Sequence, residues 1–285
     1  MSNKNIMSDA SAALKSALET QVIVLDGAMG TVIQQLGLEE RDYTPESFTA
    51  SSTPLKGCND LLNITAPDKI KDIHKSYISA GARIIETNTF NANILSLREY
   101  MVESLADRIN REGVRIAREA IAESGVEAWV AGSIGPGSHS LSLASEIEAE
   151  NPVTWNDVEA AVYNQACSLI DAGVDVLLLE TVFDGLNAKA AIHAMSRAMD
   201  DLHRDVPVMI SATLNQGGRI LSGQTLDAFI ATIAHANPLS VGLNCGFGAD
   251  ELTPYIEILQ NVPFALSIHP NAGLPDALGN YKETP

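Results

Sequence analysis

The sequence predicts an α/β protein in which buried parallel strands alternate with helices. Seven short apolar runs, rich in β-branched and aliphatic residues, are spaced along the chain, and stretches of helical periodicity separate most of them. The runs are almost continuously apolar rather than alternating, which is typical of parallel strands covered by helices. The predicted strands cover residues 22–26, 82–87, 129–134, 176–180, 208–213, 240–245 and 264–269.

Signals at helix ends support the segments between the strands. Pro67 stands in the first turn of one helix and Gly81 follows its end, a common placement of these two residues. Thr154 and Asp157 have the spacing of a capping box at the start of a helix that ends at Gly173. The predicted helices cover residues 9–19, 67–80, 97–123, 154–173, 187–202, 224–235 and 250–260.

Glycine and polar residues follow the carboxyl ends of several strands, as they do in the loops at the top of a TIM-type (β/α)8 barrel. We therefore expect such a barrel rather than the alternative, an open parallel sheet. Only seven βα units are present in this chain, so we expect a single barrel domain over residues 1–285 with its C-terminal unit beyond Pro285. The connections 37–63 and 135–152 are long enough to be lids or partner-docking surfaces.

Composition narrows the class of protein. The formal charge of −18 repels phosphate backbones, so nucleic-acid binding is not expected. No apolar stretch approaches the roughly 20 residues of a membrane span, and the first residues do not resemble a signal peptide. The three cysteines are widely spaced and odd in number, which argues against a disulfide framework. These features predict a cytoplasmic protein without membrane partners.

The stretch 241–248 carries the strongest chemical signal. An apolar strand ends there in Asn244 and Cys245, and two glycines follow within three residues. A thiolate presented at a strand end can ligate a soft metal or act as a nucleophile. The alternative is that Cys245 is a small buried hydrophobe, as many free cysteines are.

Other strand ends carry polar groups that could line a pocket. The glycines after Asp26 free backbone N–H groups for a ligand carboxylate, or else form an ordinary turn. The polar row 86–91 would be costly if buried without partners, which favours a pocket. Glu180 requires either a cationic partner, such as a substrate ammonium, or a fixed internal hydrogen bond. His269 could ligate a metal or serve as hydrogen-bonded scaffold.

Several chemistries are disfavoured. No lysine lies within a predicted strand or at its end, which argues against a Schiff-base mechanism. The chain has no Gly-rich dinucleotide motif after a strand and no P-loop. The remaining helical histidines are expected at the surface; they are His74, His193, His203 and His235.

Taken together, the strand ends resemble the homocysteine S-methyltransferase family, and most closely the homocysteine-binding amino-terminal module of its cobalamin-dependent methionine synthase branch. The resemblance runs in order from residue 22 to the end of the chain. Its motifs are Leu-Asp-Gly-Ala-Met-Gly-Thr at 25–31, Ile-Glu-Thr-Asn-Thr-Phe-Asn at 85–91, Gly-Ser-Ile-Gly-Pro at 132–136, Glu-Thr-Val-Phe-Asp at 180–184, Asn-Ala-Lys-Ala-Ala at 187–191, Leu-Ser-Gly-Gln-Thr at 221–225, Gly-Leu-Asn-Cys at 242–245 and His-Pro-Asn-Ala-Gly-Leu-Pro at 269–275.

The resemblance implies a barrel enzyme that transfers a methyl group to the sulfur of homocysteine held on zinc, giving methionine. Methylcobalamin would be the donor, recharged from methyltetrahydrofolate by folate- and cobalamin-binding modules in the same or a partner chain. By the same resemblance Cys245 is a catalytic residue and the first zinc ligand. The residues expected to bind homocysteine are Asp26, Gly27, Ala28, Glu180, Thr181 and Asn244.

Two departures from the family pattern leave alternatives open. The family completes its zinc site with Gly-Gly-Cys-Cys on the eighth strand, so two further cysteine ligands are expected beyond Pro285; Cys58 and Cys167 lie in a loop and a helix and do not match them. The loop at 137–139 also differs from its relatives. The alternatives are a homocysteine methyltransferase using betaine or S-methylmethionine, and a non-catalytic binding module without zinc.

Overall fold

A six-stranded parallel sheet forms the centre of the structure, a computed structural model that describes residues 5–45, 53–143 and 152–273. The sheet curls into a half-barrel with the strand order β2-β3-β4-β6-β7-β8, and β1 pairs with β5 outside it. The strands are β1 Ile6–Met7, β2 Ile84–Glu86, β3 Trp129–Ile134, β4 Val176–Val182, β5 Arg204–Asp205, β6 Val208–Ala212, β7 Ser240–Asn244 and β8 Ala265–His269.

Helices cover the outer face of the sheet, as the continuously apolar strands require. Within the described residues none of them is both long and apolar enough to cross a membrane. The helices are α1 Asp9–Leu18, α2 Met29–Gln35, α3 Glu40–Tyr43, α4 Leu62–Thr65, α5 Pro67–Ala80, α6 Ile94–Arg98, α7 Ala106–Ser124, α8 Trp155–Ala172, α9 Gly185–Leu202, α10 Leu226–Ile233 and α11 Ala249–Leu259.

Six of the seven predicted strands are present, and the first is not formed as predicted. Residues 22–26 make a single parallel bridge from Leu25 to Ile84, and the N–H of Asp26 donates to the Ile84 carbonyl at 3.0 Å. Val22 and Val24 are 94% and 55% exposed, because no described strand pairs with the other side of this run. The structure therefore shows a curled half-barrel consistent with a TIM-type fold, without the seventh paired strand.

The long helix predicted over residues 97–123 is divided in two. Met101, which follows α6, adopts a left-handed φ of 60°, a conformation that a continuous α-helix does not contain. Val102 then packs in the core and its N–H donates to the Leu97 carbonyl at 3.1 Å. Helical periodicity is retained on both sides of this break, which is why the sequence pattern alone predicted one helix.

Helix α1 closes the amino-terminal end of the sheet. The Ser11 hydroxyl donates to the Asp175 carbonyl at 2.7 Å, and the Trp129 indole donates to the Ala10 carbonyl at 3.0 Å. Leu14, predicted on the apolar face, is fully buried there. Since this end is covered, the open end of the half-barrel is the one at the carboxyl ends of the strands. The side chains that surround Leu14 are Ile84, Ala131, Val176, Leu178 and Met209.

His74 was predicted at the surface, and this prediction is wrong. Its side chain is fully buried on α5, on the face that also carries Ile70, Ile73 and Ile78. Neither ring nitrogen has a hydrogen-bond partner among the described residues. Burial lowers the pKa of His74 to about 4, so the ring is neutral at physiological pH.

Replacing His74 with leucine should make stability less sensitive to acid. In the unfolded chain the ring takes up a proton below about pH 6.5, whereas in the folded chain it stays neutral down to about 4. The unfolded state therefore binds more protons between these values, and the free energy of unfolding falls as the pH falls. From pH 7.5 to 5 the stability difference between His74→Leu and the parent should grow by roughly 2 kcal/mol in favour of the variant.

Urea unfolding at the two pH values measures this difference. His203→Leu is the control, because His203 is an exposed histidine at the end of α9. A His74→Leu difference that is the same at both pH values would contradict the prediction.

Candidate active site

A cavity of about 820 Å³ opens at the carboxyl ends of the strands, where the sequence predicted the site. It extends from the run at 22–30 across to β8 and the residues that follow it. The structure brings all of the predicted site residues together in its wall. They are Asp26, Gly27, Ala28, Glu180, Thr181, Asn244 and Cys245.

Four carboxyl groups are among the described residues that line the cavity, and three of them, Asp26, Glu86 and Glu180, act on one another electrostatically. Asp26 accepts the backbone N–H of Glu86 with both side-chain oxygens, at 3.1 and 3.0 Å. Glu180 accepts a hydrogen bond from the Ser133 hydroxyl at 2.5 Å. This is the internal hydrogen bond that the sequence analysis gave as one of two possibilities for Glu180. Glu86 Oε1 has no hydrogen-bond partner among the described residues. No lysine or arginine is among the described residues that line the cavity, so none of these residues places a permanent positive charge beside the carboxyl groups.

The carboxyl groups favour their protonated forms when the cavity holds no cation. Burial raises the pKa of Asp26 well above its usual value, and the nearby Glu180 raises it further against the backbone hydrogen bonds that lower it. Burial, then Glu180 and Asp26, raise the pKa of Glu86 in the same direction. Burial raises the pKa of Glu180 to about 7, although the Ser133 hydroxyl opposes this shift. A bound ammonium group would reverse these shifts.

Glu86 is a cavity residue that was not among the predicted substrate-binding residues. It belongs to the polar row 86–91 for which the sequence indicated a pocket, so part of the signal was present. Its side chain follows an apolar strand in the same way as Glu180, at the carboxyl end of β2. That shared position is the signal that could have identified it.

Much of the polar row lines the cavity and is held by hydrogen bonds within the protein. The Asn88 side-chain amide donates to the Asn59 carbonyl at 2.8 Å and to Asn63 Oδ1 at 3.1 Å. The N–H of Asn91 donates to Asp60 at 2.8 Å. These hydrogen bonds fix the loop after β2, and they satisfy the buried side-chain amide of Asn88 within the protein.

Cys245 lies at the end of β7 with its side chain exposed, which contradicts the alternative of a small buried hydrophobe. The Asn244 amide donates to its Sγ at 3.3 Å. Burial around the sulfur raises the pKa of the Cys245 thiol, with Glu180 adding to the rise, whereas hydrogen bonds from Asn244 and Thr181 lower it. Cys245 and Thr181 both adopt left-handed φ angles, 57° and 55°.

His269 lies beside this group at the end of β8. Its Nδ1 is 3.6 Å from Glu86 Oε1, and its carbonyl accepts the N–H of Cys245 at 3.0 Å. Burial lowers its pKa to about 4, so the ring is neutral. Within residues 5–45, 53–143 and 152–273, no group of three or more His, Cys, Asp or Glu side chains is placed to hold a metal ion. The motif that follows His269 extends at 274–275 outside the described residues.

The loop that departs from the family pattern at 137–139 is attached to the start of α9. The Ser140 hydroxyl donates to Asp184 at 2.5 Å, and the Asn187 side chain donates to the His139 carbonyl at 2.7 Å. Asp184 also caps α9 through the N–H of Leu186. The loop therefore has a defined position beside the carboxyl end of β4.

Comparison with known proteins agrees with this geometry. A sequence model of the homocysteine S-methyltransferase family matches residues 23–285. The metallated form of the homocysteine methyltransferase MmuM from Escherichia coli has 23% sequence identity and a TM-score of 0.73, covering 91% of this chain and 87% of that protein. Its oxidized form has 22% identity and a TM-score of 0.71, covering 93% and 86% respectively. At these identities the structural likeness shows the fold.

The half-barrel, with its polar cavity at the strand ends, shares the fold of these homocysteine methyltransferase structures. Since the family match covers nearly the whole chain, the chain belongs to the homocysteine S-methyltransferase family.

Replacing Ser133 with alanine should raise the pKa of Glu180 above about 7, because the hydroxyl is the one hydrogen bond that opposes the effect of burial on that carboxyl. A raised folded pKa means that the folded state loses stability as the pH rises from the unfolded value near 4.5 through the folded value. Carbon-13 NMR titration of the Glu180 carboxyl measures the shift. Ser267→Ala, which removes a buried hydroxyl without a partner, is the matched control. An unchanged Glu180 pKa in Ser133→Ala would contradict the assignment.

Proposed function

We propose that this chain is the homocysteine-binding module of a methionine synthase. In this proposal the thiol of homocysteine, held on zinc, takes a methyl group from methylcobalamin and becomes methionine. One observation carries the proposal: the exposed Cys245 thiol lies in the same cavity wall as a set of carboxyl groups, and the described residues of that wall include no lysine or arginine. The thiol could bind a metal ion, and the carboxyl groups could bind the ammonium group of an amino acid.

Homocysteine would bind by its amino-acid end. Its ammonium would lie between Asp26 and Glu180, which lack a cationic partner among the described residues. Its carboxylate would accept the backbone N–H groups of Gly27 and Ala28, for which the described part of the chain provides no acceptor. Thr181 and Asn244 line the same cavity. These contacts would orient the substrate sulfur and hold its other end away from water.

Zinc would keep the substrate thiol as a thiolate near neutral pH, where a free thiol is mostly protonated. Cys245 can supply one ligand, whereas a catalytic zinc takes three protein ligands, so the described residues do not complete the site by themselves. The proposal therefore includes two further cysteines beyond Pro285, on a strand that would close an eight-stranded barrel. The existence of a metallated form of the structurally similar MmuM supports a metal in this fold.

The donor and partners are the parts of the proposal that depend most on sequence motifs. The Asn-Thr-Phe-Asn stretch at 88–91 and the Pro-Asn-Ala-Gly-Leu-Pro stretch at 270–275 favour the cobalamin branch. Methylcobalamin and methyltetrahydrofolate would be carried by other modules in the same or a partner chain. A cytoplasmic location fits three cysteines that form no disulfide.

Two alternatives remain in the proposal. Betaine or S-methylmethionine could replace methylcobalamin, and the changed loop at 137–139 gives a reason to test donors separately. A binding module without catalysis is favoured by the single thiolate that the described residues bring to the cavity. Methionine formation with each donor separates these possibilities.

Cys245→Ala should abolish zinc-dependent methylation of homocysteine, because it removes the thiolate ligand. The measurement is methionine formation together with bound zinc, in a version of the chain extended through the two expected cysteines. Cys167→Ala, which alters a half-buried cysteine on α8, should retain both. Full activity and zinc content in Cys245→Ala would reject the assignment of Cys245.

Asp26→Asn and Glu180→Gln should each raise the KM for homocysteine, by about 10- to 100-fold, since each removes a charge-assisted hydrogen bond to the ammonium. The kcat should change less, because these groups bind the substrate at a distance from its sulfur. Asp68→Asn alters a carboxyl that is 89% exposed on α5 and serves as the control. A KM within twofold of the parent in both cavity variants would mean that the ammonium binds elsewhere.

A further inference from the structure

Asn244 uses all of its side-chain hydrogen-bonding capacity within the protein. Its Oδ1 accepts the N–H of Thr181 at 2.9 Å and the Ser211 hydroxyl at 2.7 Å. Its Nδ2 donates to Thr181 Oγ1 at 2.6 Å and to Cys245 Sγ at 3.3 Å. The side chain is buried. Both N–H donors of its amide and both lone pairs of its oxygen are occupied, so none of them remains to bind a substrate.

The two residues that Asn244 joins are held in strained backbone conformations. Left-handed φ angles are unfavourable for non-glycine residues, and they persist where surrounding contacts determine them. Five non-glycine residues in the described chain have such angles, and three of them, Met101, His203 and Asn237, lie at helix ends. The other two are Thr181 and Cys245, which face the cavity.

The hydroxyl of Thr181 completes the arrangement. Its oxygen accepts the Asn244 amide at 2.6 Å, and the same amide donates to Cys245 Sγ at 3.3 Å. One side chain therefore connects β4 with the residue that follows β7.

We infer that Asn244 is a positioning residue that locks Thr181 and Cys245 into one unit and directs a hydrogen-bond donor at the Cys245 sulfur. This inference rests on the proposed function in one respect: the Cys245 sulfur matters because it is proposed to bind zinc. It assigns Asn244 a role different from the substrate contact that the family resemblance implies. Donors to a metal-ligating sulfur orient it and tune its charge in the way that outer-shell groups do in metal sites.

The test is the rate at which iodoacetamide alkylates Cys245 at pH 7.5 without zinc or homocysteine, resolved by peptide mass spectrometry. Asn244→Asp keeps the shape and the acceptor oxygen but cannot donate to the sulfur, and its charge opposes the thiolate. We expect alkylation at least about threefold slower, because the sulfur loses its hydrogen-bond donor and faces a carboxylate instead. Ser240→Ala, which removes a hydroxyl without a partner on the same strand, should stay within twofold of the parent.

A purely structural role predicts the opposite sign. Loosening the strand end would expose the sulfur more and accelerate its alkylation, so an equal or faster rate in Asn244→Asp would overturn the inference. Cys58, which is buried, reports on folding in the same digest. If Cys58 reacts in Asn244→Asp, Thr181→Val decides the question: slower Cys245 alkylation supports the inference, and equal or faster alkylation overturns it.

This experiment separates the inference from the proposed function. Alkylation requires neither substrate nor metal, so an unchanged rate rejects the role of Asn244 even if methyl transfer occurs. Conversely, a chain that shows the expected rates but forms no methionine with any donor would retain the role of Asn244 and reject the proposed function.

Discussion

Asp26, Glu86 and Glu180 bring three carboxyl groups to one cavity whose described wall contains no lysine or arginine. Burying charges without partners is costly, and the raised pKa values of these groups express that cost as a preference for the protonated form. A ligand with an ammonium group removes the cost by supplying the missing charge. In the proposed function, selectivity for an amino acid would follow from these carboxyl groups, for which the described cavity wall supplies no lysine or arginine.

The parallel sheet is what allows this concentration of charge. Its strands all end at the same edge, so one polar residue at each end is enough to build a cavity wall. Helix α1 covers the opposite end through Leu14 and its hydrogen bonds to the strand starts. The buried amides that hold the loop after β2 keep one side of the wall in place. Rigid elements thus carry the groups that would contact substrate.

The sequence predicted the features that depend on local pattern. The helix at Pro67–Ala80 and the strand at Trp129–Ile134 have the predicted bounds, because proline, glycine and apolar periodicity act within a few residues. Cys245 and Glu180 were found because each follows an apolar strand. The first strand was overpredicted because an apolar run forms a strand only where the tertiary fold brings a pairing partner along its length, and here the pairing is a single bridge from Leu25 to Ile84.

Other features could not be obtained from local pattern. The burial of His74 depends on which helix packs against α5, and a histidine among isoleucines gives no sign of this by itself. The hydrogen bonds of Asn244 join residues from three strands that are far apart in the chain. The left-handed backbone conformation of Thr181 and Cys245 could not be predicted from the sequence either, since neither residue type favours that conformation.

The most direct test of the account compares the binding of L-homocysteine with that of 4-mercaptobutyrate, the same thiol acid without its amino group, by calorimetric titration of this chain. If the uncompensated carboxyl groups select the ammonium, homocysteine should bind at least about tenfold more tightly. Equal affinity for the two compounds would contradict the central claim, because it would show that the carboxyl groups of the cavity do not recognise the amino group of the ligand.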